Sequence, residues 1–179
     1  MNICVFGAAS NTISPSYIAA GEALGRALAA RGHTVIFGGG AAGMMGAVAR
    51  GAHEGGGRIV GVAPTFFPDG AFSPFCTDFH HTETMHERKL KMETLSDAFI
   101  VTPGGIGTYE EFMEVFTLRH LERHEKPILL LNTNGFFDPL MALLSHTVRE
   151  GFLPAADLSL CFLSESIDEI LAHVEGAVE

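Results

Sequence analysis

Basic residues are scarce in this chain. Eleven Lys and Arg residues stand against 21 Asp and Glu residues, which gives the 179-residue sequence a formal net charge of −10 at neutral pH. Non-specific binding to DNA or RNA depends on clustered cations that neutralise backbone phosphates. The charge balance therefore argues against a nucleic-acid partner, and any anion that binds has to be held by a local site.

Cysteines are also few, and long hydrophobic runs are missing. Cys4, Cys76 and Cys161 are odd in number and lack the paired spacing of a zinc site, so neither a disulfide framework nor a metal centre is predicted. No apolar stretch reaches the length of a membrane-spanning helix, and no basic segment precedes the first apolar run. The sequence predicts a soluble cytoplasmic protein without a membrane partner.

The sequence does contain a regular alternation of apolar runs and amphipathic segments. Short runs rich in Ile, Val, Leu and Phe predict strands at about 3–6, 34–37, 59–62, 98–102, 128–131 and 158–162. Amphipathic segments lie between most of them, and Ser14, Thr84 and Ser166 stand where helix caps are expected. This pattern predicts an α/β fold: a doubly wound, Rossmann-like parallel sheet with helices on both faces, in a single domain over residues 1–179.

One stretch does not follow the alternation. Residues 63–83 contain three prolines and several phenylalanines and show neither a helical nor a strand period. Long irregular loops inside compact domains are more often lids or pocket walls than linkers. The sequence therefore predicts that this loop covers or lines a ligand site.

Glycine-rich turns follow two of the predicted strands. Residues 38–43 follow the second strand, and Pro103-Gly104-Gly105-Ile106-Gly107-Thr108 connects a strand to a long amphipathic segment. Glycines let backbone N–H groups approach an anion closely, and a helix start adds about half a positive charge. The second turn is therefore predicted to bind a phosphate group.

Charged residues are expected at the same edge of the sheet. Arg88 and Lys89 fall near the first turn of a predicted helix, where positive charge opposes the helix dipole. Glu110 and Glu111 fall at the start of the next predicted helix. Because the loops that leave parallel strands share one edge, Arg88 and Glu111 are predicted to converge on an anionic ligand.

Simpler interpretations exist for several of these residues. Thr108 and Glu111 have the spacing of a capping box, in which Glu111 would only bond the helix start. The spacing Gly38-x-Gly40-x-x-Gly43 fits a dinucleotide fingerprint, but no acidic residue stands where one would bind a ribose, so NAD is disfavoured. The glycines are better explained by a close ligand or by close helix packing.

Histidines and lysines offer weaker alternatives. His120 and His124 are one turn apart, and three further histidines lie at 80, 81 and 86, but no complete set of metal ligands is evident. No lysine stands in a recognisable pyridoxal phosphate motif. Neither a metal nor a cofactor is predicted.

Taken together, three motifs resemble the Lonely Guy (LOG) family. They are Gly38-Gly39-Gly40 with Gly43-Met44-Met45-Gly46, then Met85-His86-Glu87-Arg88-Lys89, and then Pro103-Gly104-Gly105-x-Gly107-Thr108-x-x-Glu111. The likeness runs from residue 4 to about residue 153. The loop at 65–82 differs from the family pattern and has no obvious counterpart of the family's acidic substrate contact.

The resemblance implies a hydrolase. Such an enzyme cleaves the N-glycosidic bond of an adenosine 5′-monophosphate, prenylated or not, to a free cytokinin or adenine and ribose 5-phosphate. The implied catalytic residues are Arg88 and Glu111, and the implied substrate- and phosphate-binding residues are Gly39, Gly40, Met85, Lys89, Gly104, Gly105, Ile106, Gly107, Thr108 and Glu110. A runner-up from another class is a carrier that binds a phosphorylated cofactor, such as molybdenum cofactor, without cleaving it.

The resemblance also implies a homodimer, with larger assemblies in some members. The segment 112–121 carries apolar residues around much of its predicted helical circumference, which favours a second buried face against a partner subunit.

Overall fold

Seven parallel strands form one sheet in the computed structural model, which describes residues 1–68 and 71–177. The strands are β1 (Asn2–Phe6), β2 (Thr34–Phe37), β3 (Ile59–Pro64), β4 (Asp78–Thr82), β5 (Ala98–Val101), β6 (Ile128–Leu131) and β7 (Cys161–Ser164). Their order across the sheet is β4-β3-β2-β1-β5-β6-β7, and each neighbouring pair is parallel. The predicted fold class is confirmed.

Helices connect most of the strands. They are α1 (Pro15–Ala30), α2 (Gly43–Glu54), α3 (Met85–Leu95), α4 (Ile106–His120), α5 (Asp138–Arg149) and α6 (Ile167–Gly176), and 3-10 turns form at Thr133–Gly135 and Ala155–Leu160. The predicted caps are confirmed, because Ser14, Thr84 and Ser166 each accept a backbone N–H from the first turn of the helix that follows. Each cap stabilises its helix by about 1 kcal/mol.

The sheet separates two hydrophobic layers. On one face, the apolar sides of α1, α2 and α6 pack on residues such as Val5, Phe37 and Ile100. On the other, α3, α4 and α5 pack on residues such as Phe99 and Leu130. Successive strand residues point to opposite faces, so buried strands need apolar side chains at nearly every position. This explains why the central strands appear in the sequence as uninterrupted apolar runs.

The strand order reverses beside β1. The chain moves outward from β1 to β4, and α3 then returns across one face so that β5 pairs with the opposite edge of β1. The loops after β1 and β5 therefore separate and leave a crevice at the carboxyl edge of the sheet, which is where ligands bind in folds of this type. The fold thus positions the glycine-rich turns and the start of α3 around one opening.

The structure corrects three boundaries. Residues 78–82, predicted to be part of an irregular loop, form β4; this strand lies at the sheet edge and is rich in polar residues, so it lacks the apolar run of a central strand. The last strand begins at Cys161 rather than 158, because residues 155–160 form a 3-10 turn. The amphipathic segment after the second glycine-rich turn, which the sequence predicts to be helical from Thr108 to about His124, forms α4 over Ile106–His120. None of the helices within 1–68 and 71–177 combines the length and apolarity needed to cross a membrane.

Helices α1 and α2 pack unusually closely because glycines lie at their crossing. A Cβ atom on Gly51 would lie 2.0 Å from the backbone oxygen of Glu22, and one on Gly25 would lie 2.1 Å from that of Val48. Such contacts cannot be relieved by a side-chain movement, because the opposing atoms belong to the backbone. The two helices must move apart if either glycine gains a side chain.

Gly51→Ala should therefore destabilise the protein by about 1–3 kcal/mol through overpacking. Urea denaturation followed by circular dichroism measures the change. Gly176→Ala is the matched control, since no heavy atom of residues 1–68 and 71–177 lies within 4 Å of a Cβ at that exposed position in α6. Equal stability of the two variants would show that α1 and α2 tolerate a wider separation.

Candidate active site

A cavity of about 410 Å³ opens at the reversal of strand order. Its lining comes from the loops after β1, β2 and β5, from α3 and α4, and from the loop between β3 and β4: Gly7, Ala8, Ala9, Ser10, Gly38, Gly40, Met45, Phe67, Ala71, Phe72, Met85, Arg88, Gly105, Gly107, Thr108 and Glu111. A volume of this size is in the range that holds a small molecule. The cavity is the candidate active site.

Arg88 and Glu111 form a buried ion pair in the cavity wall. Nη1 of Arg88 donates to Oε1 of Glu111 at 2.8 Å, and Nε of Arg88 donates to the backbone oxygen of Val62 at 3.2 Å. The two side chains are only 8 % and 10 % exposed. The predicted convergence of a guanidinium and a carboxylate, 23 positions apart in the chain, is present in the structure.

Gly38 makes room for this pair. A Cβ atom at position 38 would lie 2.0 Å from Nη2 of Arg88, so any larger residue would displace the guanidinium. The first glycine after β2 is therefore required by the arginine rather than by a dinucleotide. Its position explains why the glycine-rich turn and the Arg88 motif occur together in one sequence.

Burial and the positive charge of Arg88 shift the pKa of Glu111 in opposite directions. Removal from water raises the pKa of Glu111 above that of an ordinary glutamate, while Arg88 partly offsets the rise by favouring the ionised form. Glu110 raises the pKa of Glu111 further, and Lys89 lowers it. The carboxylate is therefore held at a buried position by its arginine partner, close to a cavity that a ligand can enter.

The start of α4 supplies the anion-binding geometry. Gly105 is the N-cap residue and has no side-chain cap, and Gly105, Gly107 and Thr108 all line the cavity. A Cβ on Gly104 would lie 2.0 Å from Oγ1 of Thr108, so that glycine lets the buried threonine pack against the turn. Unpaired N–H groups of a helix start attract negative charge such as a phosphate.

The capping-box interpretation of Thr108 and Glu111 is wrong. The N-cap of helix α4 is Gly105, three residues before Thr108, and Glu111 bonds Arg88 rather than the start of its own helix. Glu111 is therefore free to take part in the cavity. A tertiary contact has taken precedence over a local sequence pattern.

Lys89 and Glu110 lie beside the pair but do not line the cavity. Lys89 Nζ bonds Glu110 and also approaches Oε2 of Glu114 at 3.0 Å. The hydrogen bond from Glu110 is the main cause of a raised pKa for Lys89. These residues thus join α3 to α4 next to the ion pair of Arg88 and Glu111.

The other predicted site residues divide into two groups. Gly40, Met85, Gly105, Gly107 and Thr108 line the cavity, as do Arg88 and Glu111. The lining does not include Gly39, Lys89, Gly104, Ile106 and Glu110; Gly104 lines a smaller neighbouring pocket, and the side chain of Ile106 is 85 % exposed. Catalytic and binding roles stay predictions for the residues of both groups.

The sequence did not predict Met45, Phe67 or Phe72 as site residues, and these side chains form an apolar part of the wall. The only signal for the two phenylalanines was their place in the loop that was predicted to be a lid or pocket wall. Nothing in the local pattern distinguishes Phe67 and Phe72 from Phe66, which is 62 % exposed and does not line the cavity. Their assignment depends on how the loop docks.

The histidine clusters lie outside the cavity lining. His124 accepts from the backbone N–H of Lys126 and bonds the backbone oxygen of Val115, and burial lowers its pKa. Across 1–68 and 71–177, no three His, Cys, Asp or Glu side chains are grouped as a metal site requires. The bonded partners of His124 give that residue a structural explanation.

Sequence comparison gives a family for the chain. A family model described as "Possible lysine decarboxylase" matches residues 45–174. The chain is 38 % identical over 178 residues to the cytokinin riboside 5′-monophosphate phosphoribohydrolase of Rhodococcoides fascians, covering 98 % of this chain and 89 % of that protein. It is 40 % identical over 177 residues to the enzyme named LOG of Oryza sativa subsp. japonica, covering 98 % and 73 %.

Solved structures show the same architecture. The molybdenum cofactor binding protein of Rippkaea orientalis superimposes with a TM-score of 0.77 at 21 % identity, covering 99 % of this chain and 97 % of that one. The molybdenum cofactor carrier protein of Chlamydomonas reinhardtii gives 0.76 at 21 %. At this identity the likeness concerns the fold alone, whereas the sequence matches cover nearly the whole chain at much higher identity. The chain therefore belongs to the LOG family of cytokinin riboside 5′-monophosphate phosphoribohydrolases.

Proposed function

We propose that this protein hydrolyses the N-glycosidic bond of an adenosine 5′-monophosphate, prenylated or not, to release the free base and ribose 5-phosphate. The observation that carries the proposal is the buried pair of Arg88 and Glu111 in the wall of a cavity that also contains a helix start. The sequence relatives named as phosphoribohydrolases support it.

Each part of the substrate has a partner in the cavity. The 5′-phosphate binds at the start of α4, where backbone N–H groups and the Thr108 hydroxyl are available. Arg88 donates to hydroxyl or phosphate oxygens and fixes the ribose in a reactive orientation. Glu111 then lies next to the anomeric carbon, and this arrangement places the scissile bond against the carboxylate.

The reaction consumes one water molecule. As the C–N bond breaks, positive charge develops on the ribose ring and the base leaves with the bonding electrons. Glu111 stabilises the positive charge and orients the water, whose oxygen bonds the anomeric carbon. One proton of the water ends on the departing base, and the other stays on the new C1 hydroxyl of ribose 5-phosphate. Arg88 bonds Oε1 of Glu111, so we assign Oε2 to the water.

The alternative is a carrier that holds a phosphorylated cofactor without cleaving it. The fold similarity to molybdenum cofactor proteins is compatible with that activity, but the more similar sequences are named as hydrolases. A carrier also needs no buried carboxylate at its anion site. Purified protein that retains a pterin and releases no base from AMP or isopentenyladenosine monophosphate would favour the carrier.

Other parts of the proposal concern assembly and location. We propose a homodimer that uses the outer surface of α3, α4 and α5, because Leu90, Leu121 and Leu143 are each more than half exposed there. A cytoplasmic location and the absence of a nucleic-acid partner stay predictions from composition.

Glu111→Gln should lower the rate of base release from AMP at least about a hundredfold, because it removes the charge that stabilises the ribose cation while keeping the shape of the side chain. Chromatographic measurement of free adenine gives the rate. Glu114→Gln is the matched control, since it removes the same charge one turn further along α4, outside the cavity lining. A Glu111→Gln variant that is folded and within a few-fold of normal activity would disprove the assignment.

The pH profile offers a second test of Glu111. Because burial raises the pKa of Glu111, kcat/KM should fall as the pH is lowered, with a midpoint at a higher pH than an exposed glutamate would give. The charged or titratable groups around it are Arg88, Lys89 and Glu93 of α3, Glu110 and Glu114 of α4, and Cys4 of β1.

Two variants should move that midpoint in opposite directions. Lys89→Met removes a positive charge that favours the ionised form of Glu111, so the midpoint should rise. Glu110→Gln removes a negative charge that disfavours it, so the midpoint should fall. Shifts in the same direction, or none, would show that another group controls the acidic limb.

The dimer is tested by light scattering after gel filtration. The wild-type protein should have twice the mass of the chain, and Leu90→Asp together with Leu143→Asp should give a folded monomer, because charge at a buried interface is costly. Ala19→Asp, at an exposed position of α1 on the opposite face of the sheet, should remain a dimer. A wild-type monomer at micromolar concentration would refute the assembly.

A further inference from the structure

The cavity has two chemically different ends. Arg88, Glu111 and Thr108 supply polar groups at the end formed by α3 and α4. The loop between β3 and β4 supplies Phe67, Ala71 and Phe72 at another part of the lining. These three side chains carry no hydrogen-bonding group. The phosphate and the ribose bind to the polar groups, so the apolar wall is left for another part of the substrate.

Phe72 is held in place by backbone contacts to the glycine-rich turn after β2. An isolated antiparallel bridge joins Phe72 to Gly40. The N–H of Ser73 donates to the oxygen of Gly39 at 2.7 Å, and the N–H of Ala41 donates to the oxygen of Ala71 at 3.0 Å. Bonds on both sides of Phe72 fix its backbone, so the wall is attached to the same turn that contacts Arg88.

The ring of Phe72 is also braced from behind. The ring of Phe79 on β4 lies 4.8 Å from it, centroid to centroid, and the ring of His81 lies 6.0 Å away in an edge-on arrangement. Phe79 in turn packs where Gly39 and Gly61 lack side chains, since a Cβ at either position would lie within 3 Å of that ring. The aromatic wall is thus supported by the edge strand of the sheet.

We propose that Phe72, with Phe67 beside it, is the surface on which the base of the substrate stacks, and that this surface selects the base by its flat apolar face rather than by hydrogen bonds at its edge. The inference rests on the proposed function, because it takes the phosphate to lie at α4 and the anomeric carbon to lie at Glu111. The base then lies against another part of the lining, where Phe67 and Phe72 supply aromatic rings.

The substrate class follows from this surface. A planar purine gains from stacking, and an apolar substituent on the ring meets side chains that need no hydrogen bond. A pocket that bonds a polar group rejects an analogue without that group by about 10⁴-fold or more, whereas apolar contacts discriminate by about 10–200-fold. Purine riboside 5′-monophosphate, which lacks the 6-amino group of AMP, should therefore be cleaved with kcat/KM within about tenfold of AMP.

Phe72→Ala is the main test. Base stacking on an aromatic side chain is worth about ten- to hundredfold in affinity, so the KM for AMP should rise by that factor with little change in kcat. Inhibition by ribose 5-phosphate, which has no base to stack, should change less than about threefold. Phe72→Tyr keeps the ring and should restore the KM, and Phe66→Ala in the same loop is the matched control outside the cavity.

The outcomes separate this inference from the proposed function. Wild-type protein that releases no base refutes the hydrolase but leaves stacking testable, because calorimetry of AMP and ribose 5-phosphate with wild-type and Phe72→Ala protein compares binding without turnover. An unchanged affinity for AMP overturns the stacking surface. Equal losses for AMP and ribose 5-phosphate overturn it as well, since they would show a general disturbance of the cavity.

Discussion

The ion pair between Arg88 and Glu111 is the constraint on which the site depends. Each charge would be costly to bury alone, and breaking such a pair by removing one partner typically costs about 3–5 kcal/mol. The pair requires α3 and α4 to approach within hydrogen-bonding distance, and it requires a residue without a side chain at Gly38. Helices α3 and α4 and the turn after β2 therefore all contribute to the position of these two side chains.

The same pair explains how the site combines two requirements. A carboxylate next to a developing cation has to be ionised, and a buried carboxylate resists ionisation. Arg88 partly offsets the cost of burial through its positive charge and its hydrogen bond to Oε1 of Glu111. The adjoining contacts of Lys89 with Glu110 and Glu114 add charge of both signs just outside the cavity. The electrostatic state of Glu111 is therefore set by residues on two helices.

Much of the fold could be predicted from the sequence because central parallel strands are buried on both faces. Residues 3–6 of β1 and all four residues of β6 are buried, so they appear in the sequence as continuous apolar runs. Strand β4 could not be predicted in this way, because an edge strand such as Asp78–Thr82 is half solvated and its polar residues hide its period. The start of β7 was also misplaced by the sequence, because the apolar residues 158 and 160 belong to a 3-10 turn and not to the strand.

In the candidate site, too, some residues could be predicted from the sequence and others could not. Arg88 and Glu111 could be predicted because each is out of place locally: the arginine opposes a helix dipole, and the glutamate follows a turn suited to anions. Phe72 could not, since its role depends on a bridge to Gly40 that only the folded chain makes. Local misfit identifies charged residues, whereas apolar wall residues look like any other hydrophobic side chain.

The path of α3 has a consequence for how the protein acquires its activity. The helix leaves one edge of the sheet and delivers the chain to β5, whose pairing with β1 joins residues about 95 positions apart, as in the bond from Thr102 to Phe6. Contacts between such distant residues form slowly. A nascent chain that has built only β1 to α3 possesses Arg88 and the aromatic wall but not Glu111, which lies on α4. The cavity is therefore complete only after β5 has paired with β1 and α4 has formed.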